Sequence, residues 1–364
     1  FTRASTATYV DSDGLIKTAR NGEARVDYTD STDGALLLEP ARTNLLTYSE
    51  NFENSDWLKS NTTFSSNIVT ANSGSSFKYI GQNETTQGVQ TAFFDVEYID
   101  HQWLHILVGS GASDTGFINF DIQNKVVGYK EGGFTGNVID YGSFIRILVN
   151  FNTTAKTNIL LSFIDSNAAT RVPTSSSTGS FKLYRSQSEA ASYATSYIPT
   201  SGSTVTRVAE TCLGAGNDQV INSSEGVLYG EVKYPSNDIG SGNYSPISIS
   251  GANSNLVTFR HQGGVSNRLS IFIYVNGVEK FVKITSAYDL NNYVKIAVLY
   301  SSSGSKVYIN GAAAYTDAIN SSFPVNTLTE VEGYQGGDYF KGNIKALAVF
   351  TTALTDAELQ ELTT

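Results

Sequence analysis

His101 and His105 lie four residues apart, a spacing that on a helix would turn two imidazoles towards one zinc ion. Their neighbours alternate as a strand does, and on a strand residues four apart share a face yet stand about 13 Å apart, at ~3.3 Å per residue. One zinc, with ligand bonds of about 2.1 Å, does not reach both. The pair therefore reads as ordinary strand histidines beside Trp103. No phosphate-binding Gly-x-x-x-x-Gly-Lys, no Gly-x-Ser-x-Gly elbow and no His-Glu-x-x-His is present. Gly214-Ala-Gly216 lacks the third glycine and the preceding strand of a dinucleotide site. The 34 acidic residues offer many carboxylate pairs for hydrolysis, but nothing singles out one pair. No dense Asp/Asn loop forms a calcium cage. The expectation is a protein without a catalytic site, metal or cofactor; calcium has no motif behind it.

Binding is easier to motivate. On the stretch Arg268 to Val275, Leu269, Ile271, Ile273 and Val275 share one face, while Arg268, Ser270, Phe272 and Tyr274 share the other. The first face can fill a core; the second can offer flat rings and donors to a sugar. Arg260, His261, Tyr334 and Asp338 lie in segments that could border the same surface. These seven residues, Arg260, His261, Arg268, Phe272, Tyr274, Tyr334 and Asp338, are the glycan-binding candidates. The alternative is that Phe272 and Tyr274 pack beneath another sheet or a subunit neighbour, the commoner fate of β-sandwich aromatics.

The elements that must hold these residues are strands. Phe93 to Ile99, Trp103 to Val108, Phe144 to Phe151, Ile159 to Ile164 and Phe181 to Arg185 are β-rich runs, and Phe117 to Asp121 with Lys125 to Tyr129 reads as a hairpin. Asn276-Gly277 and Asn310-Gly311 each join two strand-like runs, the strongest local hairpin signal. Tyr293 to Tyr300 is another strand. One helix is expected at the end, with Thr355 and Glu358 as a capping box and Leu354 stapled to Leu359. Residues 1 to 44, rich in turn signals and poor in apolar residues, read as an extended arm over a neighbouring domain or subunit.

The bulk numbers agree with an all-β fold. Of 364 residues only 16% are charged while 12% are aromatic, a composition for short strands and many turns. A net charge of −10 repels phosphate backbones and speaks against nucleic acid. No run of about 18 apolar residues suggests a helical membrane span. Cys212 stands alone, so no internal disulfide forms. The chain opens at Phe1 and holds no methionine, which reads as a fragment or processed product.

Phe1-Thr-Arg-Ala-Ser-Thr-Ala-Thr-Tyr-Val-Asp-Ser-Asp-Gly14, with Leu38-Glu-Pro-Ala-Arg-Thr-Asn-Leu-Leu46 and Tyr48-Ser-Glu-Asn-Phe52, resembles the opening of many phage tail-fibre and prophage tail proteins. Gln187-Ser-Glu189 and Thr195-Ser-Tyr-Ile-Pro-Thr200, running to Val205-Thr-Arg207, resemble the close of the first jelly roll in those proteins. Where that family shows Gly, Trp, Tyr and Arg together, this chain has Gly142-Ser-Phe-Ile-Arg146; where it shows Trp-Gly-Ala, this chain has Tyr184-Arg-Ser. The second half is similar to concanavalin A-like, laminin-G-like domains, through Val307-Tyr-Ile-Asn-Gly311, Phe340-Lys-Gly-Asn-Ile344 and Leu354-Thr-Asp-Ala-Glu-Leu359. Tyr339-Phe-Lys-Gly342 resembles the Tyr-Phe-Lys motif of one alginate lyase family, but the companion strands of that family are missing. Tyr339 to Ile344 is better read as the penultimate strand of a laminin-G-like sandwich.

The resemblance implies a first jelly roll over 45–207 and a second, concanavalin A-like one over 208–364, preceded by the arm over 1–44. It implies a virion or tail location, extracellular, with other virion subunits and bacterial surface glycans as partners, in a homo-oligomer such as a trimer. A purely structural or decoration protein is the first alternative, and a secreted polysaccharide lyase, hydrolase or its carbohydrate-binding module the second. Arg42, Asn44, Tyr197, Pro199 and Arg207 are expected to be structural clamps: proline fixes φ and holds Ile198 extended, and each arginine can fork onto a carboxylate or carbonyls.

Overall fold

At Asn276-Gly277 and Asn310-Gly311 the φ angles are 51° and 73°, and 49° and 77°. These left-handed values define the type I′ turn that matches the twist of paired strands. The first turn joins Leu269–Val275 to Val278–Ile284, the second Gly304–Ile309 to Ala312–Asp317. The computed structural model describes residues 1–109, 116–155, 158–235, 245–262, 267–335 and 337–364. Their regular structure is antiparallel strand, with a 3-10 turn at Ala252–Ser254 and a closing helix, Asp356–Thr363. The protein is all-β, with two units: Ala41–Arg207, and Phe1–Pro40 together with Val208–Thr364.

In the first unit, two six-stranded sheets face each other. One runs in the order Thr135–Asp140, Ile145–Thr153, Gly88–Tyr98, Ser180–Glu189, Ile68–Ala71, Thr62–Ser65; the other Val126–Glu131, Gly116–Asp121, Trp103–Gly109, Asn158–Phe163, Tyr79–Asn83, Trp57–Ser60. Alternation assigns the faces. Phe94 and Val96, Ile145, Ile147 and Val149, and Phe181 and Leu183 fill the space between the sheets with Leu104, Ile106, Ile118, Phe120 and Leu161. Phe93, Asp95 and Arg146 take the opposite, outer side of their strands.

The expected clamps sit at the close of this sandwich. Asn44 is buried, donating to the carbonyls of Ser186 and Ile198 and accepting from the N–H groups of Leu46 and Ser188. The Tyr197 hydroxyl lies 2.6 Å from Ser49 Oγ. Arg207 donates to Thr195 Oγ1 and to the carbonyl and hydroxyl of Ser196. Arg42 stacks over Tyr193, its Cζ 5.3 Å from the ring centre. Pro199 is exposed, between Ile198, whose N–H donates to Gln187, and Thr200, whose hydroxyl donates to Leu46.

The second unit stacks a seven-stranded sheet on a five-stranded one. The larger runs Ala312–Asp317, Gly304–Ile309, Val294–Ser301, Gly226–Lys233, Gly342–Phe350, Ala35–Leu38, Val26–Asp27; the smaller Val278–Ile284, Leu269–Val275, Asn255–His261, Ser245–Gly251, Leu328–Glu332. Of residues 1–44, expected as an arm, residues 1–40 are built into this unit and contribute strands to it. Leu36, Leu37 and Leu38 pair with Ile344, Asn343 and Gly342, and Val26–Asp27 pairs outside them as the edge strand of the larger sheet. A buried charge cluster holds them there. Glu210 accepts from Arg3 at 2.6 Å and from both Arg25 Nε, at 2.8 Å, and Arg25 Nη2, and Arg25 also reaches Glu39 at 2.9 Å.

The helix has the expected capping box, with Thr355 accepting from the Glu358 N–H and Glu358 from that of Thr355. Leu359 is buried in an apolar cluster that Leu354 packs against, on the outer side of the larger sheet with Val227, Tyr229 and Tyr308. A second expectation changes. Tyr339 does not lead into a penultimate strand: Asp338–Tyr339 pairs back on Tyr334–Gln335, and Gly342–Phe350 is a separate, final strand. Gly342 makes the break, with φ of 136° and a Cβ position only 2.1 Å from the Lys233 carbonyl oxygen, so no larger residue fits.

Candidate functional site

The five-stranded sheet of the second unit turns Leu269, Ile271, Ile273, Val257, Phe259, Ile247 and Ile249 into the core. By alternation, its outer face carries the residues between them. Cross-strand register sets these in two rows. One reads Glu332, Ser248, Thr258, Phe272, Val282; the next Glu330, Ser250, Leu256, Tyr274, Glu279. At about 4.8 Å between strands, each row spans roughly 14 Å from its acidic end to its aromatic residue.

At the aromatic end the Phe272 and Tyr274 rings stack, centroids 6.2 Å apart and planes 24° from parallel. The Arg260 guanidinium lies over Phe272, 4.5 Å from its centre, and donates to Gln335 Oε1 at 2.6 Å. All three stacked residues are half-buried. The hairpin Tyr334-Gln335/Asp338-Tyr339 supplies that glutamine, its own tyrosine rings 5.0 Å apart. Beneath them Ser248 Oγ donates to Thr258 Oγ1 at 2.9 Å and Thr258 Oγ1 to the Ile247 carbonyl, both side chains fully buried. At the acidic end Ser250 Oγ donates to Glu332 at 2.6 Å and stands 3.5 Å from Glu330. Burial pushes the Glu332 carboxyl above the usual carboxylate range; the Ser250 hydrogen bond works against that and the nearby Glu330 charge adds to it. Flat rings and a positioned guanidinium at one end of this trough, with the Ser250 hydroxyl and two carboxylates at the other, are groups that hold a polyol.

Of the seven candidates, Arg260, Phe272 and Tyr274 are brought together, and Tyr334 and Asp338 lie in the hairpin that braces Arg260. Arg268 stands exposed just before its strand. His261 belongs on the other side: it is fully buried with its ring edge-on to Tyr234 at 5.4 Å. Adjacent strand residues face opposite ways, so Arg260 outward places His261 inward. The trough also includes Gln335, Glu330 and Glu332, which sequence reasoning missed. The alternation Glu330-x-Glu332 marks a shared face, but its pairing with Ser248 and Ser250, some eighty residues upstream, leaves no local sign.

The histidine pair behaves as two separate side chains. His105 is buried, its Nδ1 2.7 Å from Asn119 Oδ1 and its ring stacked on Phe117. His101 precedes the strand and lies 2.7 Å from the Trp103 carbonyl and 2.8 Å from Ser177 Oγ. Among the described residues, no group of three His, Cys, Asp or Glu side chains is placed to hold a metal ion. A cavity of about 270 Å³, lined by Asp218, Gln219, Asn222, Ser223 and Asn326 among others, shares no residue with the trough.

Residues 232–360 match the family model of the concanavalin A-like lectin/glucanases superfamily, so the second unit contains such a domain. No curated protein matches the sequence. Among solved structures, the heptameric SAP-like pentraxin from Limulus polyphemus is similar at 14% identity and a TM-score of 0.34, over 42% of this chain and 74% of that one. Domains LG4-5 of the mouse laminin alpha1 chain align at 10% identity and a TM-score of 0.26, over 88% and 92%. The sialidase of Trypanosoma rangeli aligns at 9% identity and a TM-score of 0.30, over 82% of this chain and 61% of the sialidase.

Proposed function

We propose, taking the concanavalin A-like lectin/glucanase domain as the premise, that this chain is a non-catalytic glycan-binding protein of a phage virion appendage. The observation that carries binding is the half-buried Arg260–Phe272–Tyr274 stack, on a sheet whose other face already fills the core. The ligand is a bacterial surface polysaccharide. The virion assignment is supported by the resemblance of the opening residues to phage tail-fibre proteins, and it places the protein outside the host cell beside other virion subunits. A homo-oligomer, trimeric by the same resemblance, would multiply weak single sites into avidity. The chain's net charge of −10 favours neither nucleic acid nor an acidic membrane surface as partner. No helix among the described residues is long and apolar enough to cross a membrane.

A second reading has one observation behind it. Glu332, with its raised pKa, beside Glu330 is the kind of acid pair a polysaccharide hydrolase uses.

One experiment addresses both. The purified chain is run through gels cast with bacterial surface polysaccharides, and the same polymers are sized after incubation with it. Retardation with unchanged polymer length is expected, and Phe272→Ala with Tyr274→Ala should weaken it about tenfold or more. Shortened polymer that stays intact with Glu332→Gln would put the hydrolase first. If no polymer is retarded or cut, a purely structural role takes its place.

A further inference from the structure

The outer face of the first sandwich carries a second set of rings and forked charges. At Asp95/Val96 the pairing with the strand Ser180–Glu189 slips by one residue, Asp95 opposite Arg185 and Val96 opposite Leu183. Tyr184 is the extra residue of this β-bulge, and a bulge re-aims side chains. Leu183 stays in the core while Tyr184 and Arg185 both turn outward, Tyr184 donating to Glu97 and Arg185 reaching Asp95 at 3.5 Å. Arg185 also lies over Phe144, 5.3 Å from its centre, and 3.9 Å from Glu50. Tyr141 stacks on Phe144 at 4.9 Å and 21°, and Phe144 meets Tyr184 at 6.1 Å. The three rings are half-buried and the Arg185 side chain, which also lies 5.8 Å from the Tyr197 ring centre, is 25% exposed, so part of each remains open to solvent.

The charges of this patch cancel. Arg146, Arg185 and Lys182 stand against Asp95, Glu50 and Glu97, three cations to three carboxylates, each cation within 4 Å of a carboxylate. Such a surface has little net attraction for an anion. It offers aromatic faces for the C–H side of a sugar ring, with fixed donors and acceptors for its hydroxyls.

We infer that this face is a second saccharide site, built around Phe144, Tyr184 and Arg185, and that it takes a neutral, hydroxyl-rich sugar. The inference rests on the glycan-binding reading and adds a site that is independent of the trough in the second sandwich. Its test is titration calorimetry of the full-length chain with neutral oligosaccharides from a glucan and from a galactomannan, and with an oligouronate as the anionic probe. The wild type should bind a neutral probe at two sites per chain. Phe144→Ala with Arg185→Lys should remove one site, or weaken it about tenfold, with cooperative unfolding kept and a melting temperature lowered by only about a few degrees; Phe272→Ala with Tyr274→Ala should remove the other. Loss of a site only on changing Phe272 and Tyr274 overturns this inference and leaves the proposed function standing. Loss only on changing Phe144 and Arg185 supports it and removes the trough from the proposal. Preference of the Arg185 site for the uronate, or no binding of any probe at this face, overturns it as well.

Discussion

Each sandwich holds one carboxylate between two arginines, and the two trios have different exposures. In the second sandwich Glu210 is gripped by Arg3 and Arg25, with no exposure on any of the three side chains. In the first, Asp95 is equally buried and Arg146 nearly so, yet Arg185 remains 25% exposed and lies across Phe144. The closed trio fastens residues 1–40 to their sheet. The open trio fixes an arginine at a surface among rings. The same three charges serve as a clamp or as a binding element, depending on whether one of them still meets water.

Removing one partner from a closed trio leaves charge buried without compensation. Glu210→Gln should therefore produce the largest change, a loss of about 3–5 kcal/mol. Hydrogen exchange should show it first at Val26–Asp27 and Ala35–Leu38. An unchanged exchange pattern there would mean that strand pairing alone holds the opening segment.

Acid offers a second way to separate the units. Burial, partly offset by the Asn119 hydrogen bond, holds the His105 pKa down at about 4, against 6.5 when exposed. Above pH 6.5 the ring is neutral in both folded and unfolded chains and contributes nothing. As pH falls from 6.5 to 4 the unfolded chain takes up the proton first, so the first sandwich loses stability, by about 3 kcal/mol in all. Below pH 4 the loss levels off. Denaturant midpoints followed by exchange in Trp103–Gly109 should track this window, and His105→Gln should flatten it.

The smallest effect should come from Arg185→Lys. It keeps the charge beside Asp95 at a partly exposed position, so stability should shift by about 0.5 kcal/mol or less. A large loss of stability, measured by thermal unfolding, would show the open trio to be a clamp like the closed one.

Much of the fold was legible in short stretches. Leu269–Val275 and Val278–Ile284 were readable to the residue because Asn276-Gly277 lies between two runs of strand-forming residues. The capping box at Thr355 and Glu358 was readable because both partners lie within one helical turn. The site was legible by half. Alternation gave Phe272 and Tyr274 a common face, and it would have turned His261 inward had Arg260 been followed as strictly. The bulge at Tyr184 escaped notice because it exists only against Asp95 and Val96, on a strand some ninety residues earlier.

The amino-acid order by itself determined an all-β chain, its tight hairpins, its closing helix and the side of each strand that turns inward. These depend on backbone preferences and on patterns within a few residues. Only the tertiary structure decided that residues 1–40 complete the second sandwich, that Glu210 meets Arg3 and Arg25, and that Glu332 shares a row with Phe272. Strand alternation names a face without naming the neighbour across it. That neighbour is set by which distant strands pair and in what register, a choice made when the whole core is buried at once.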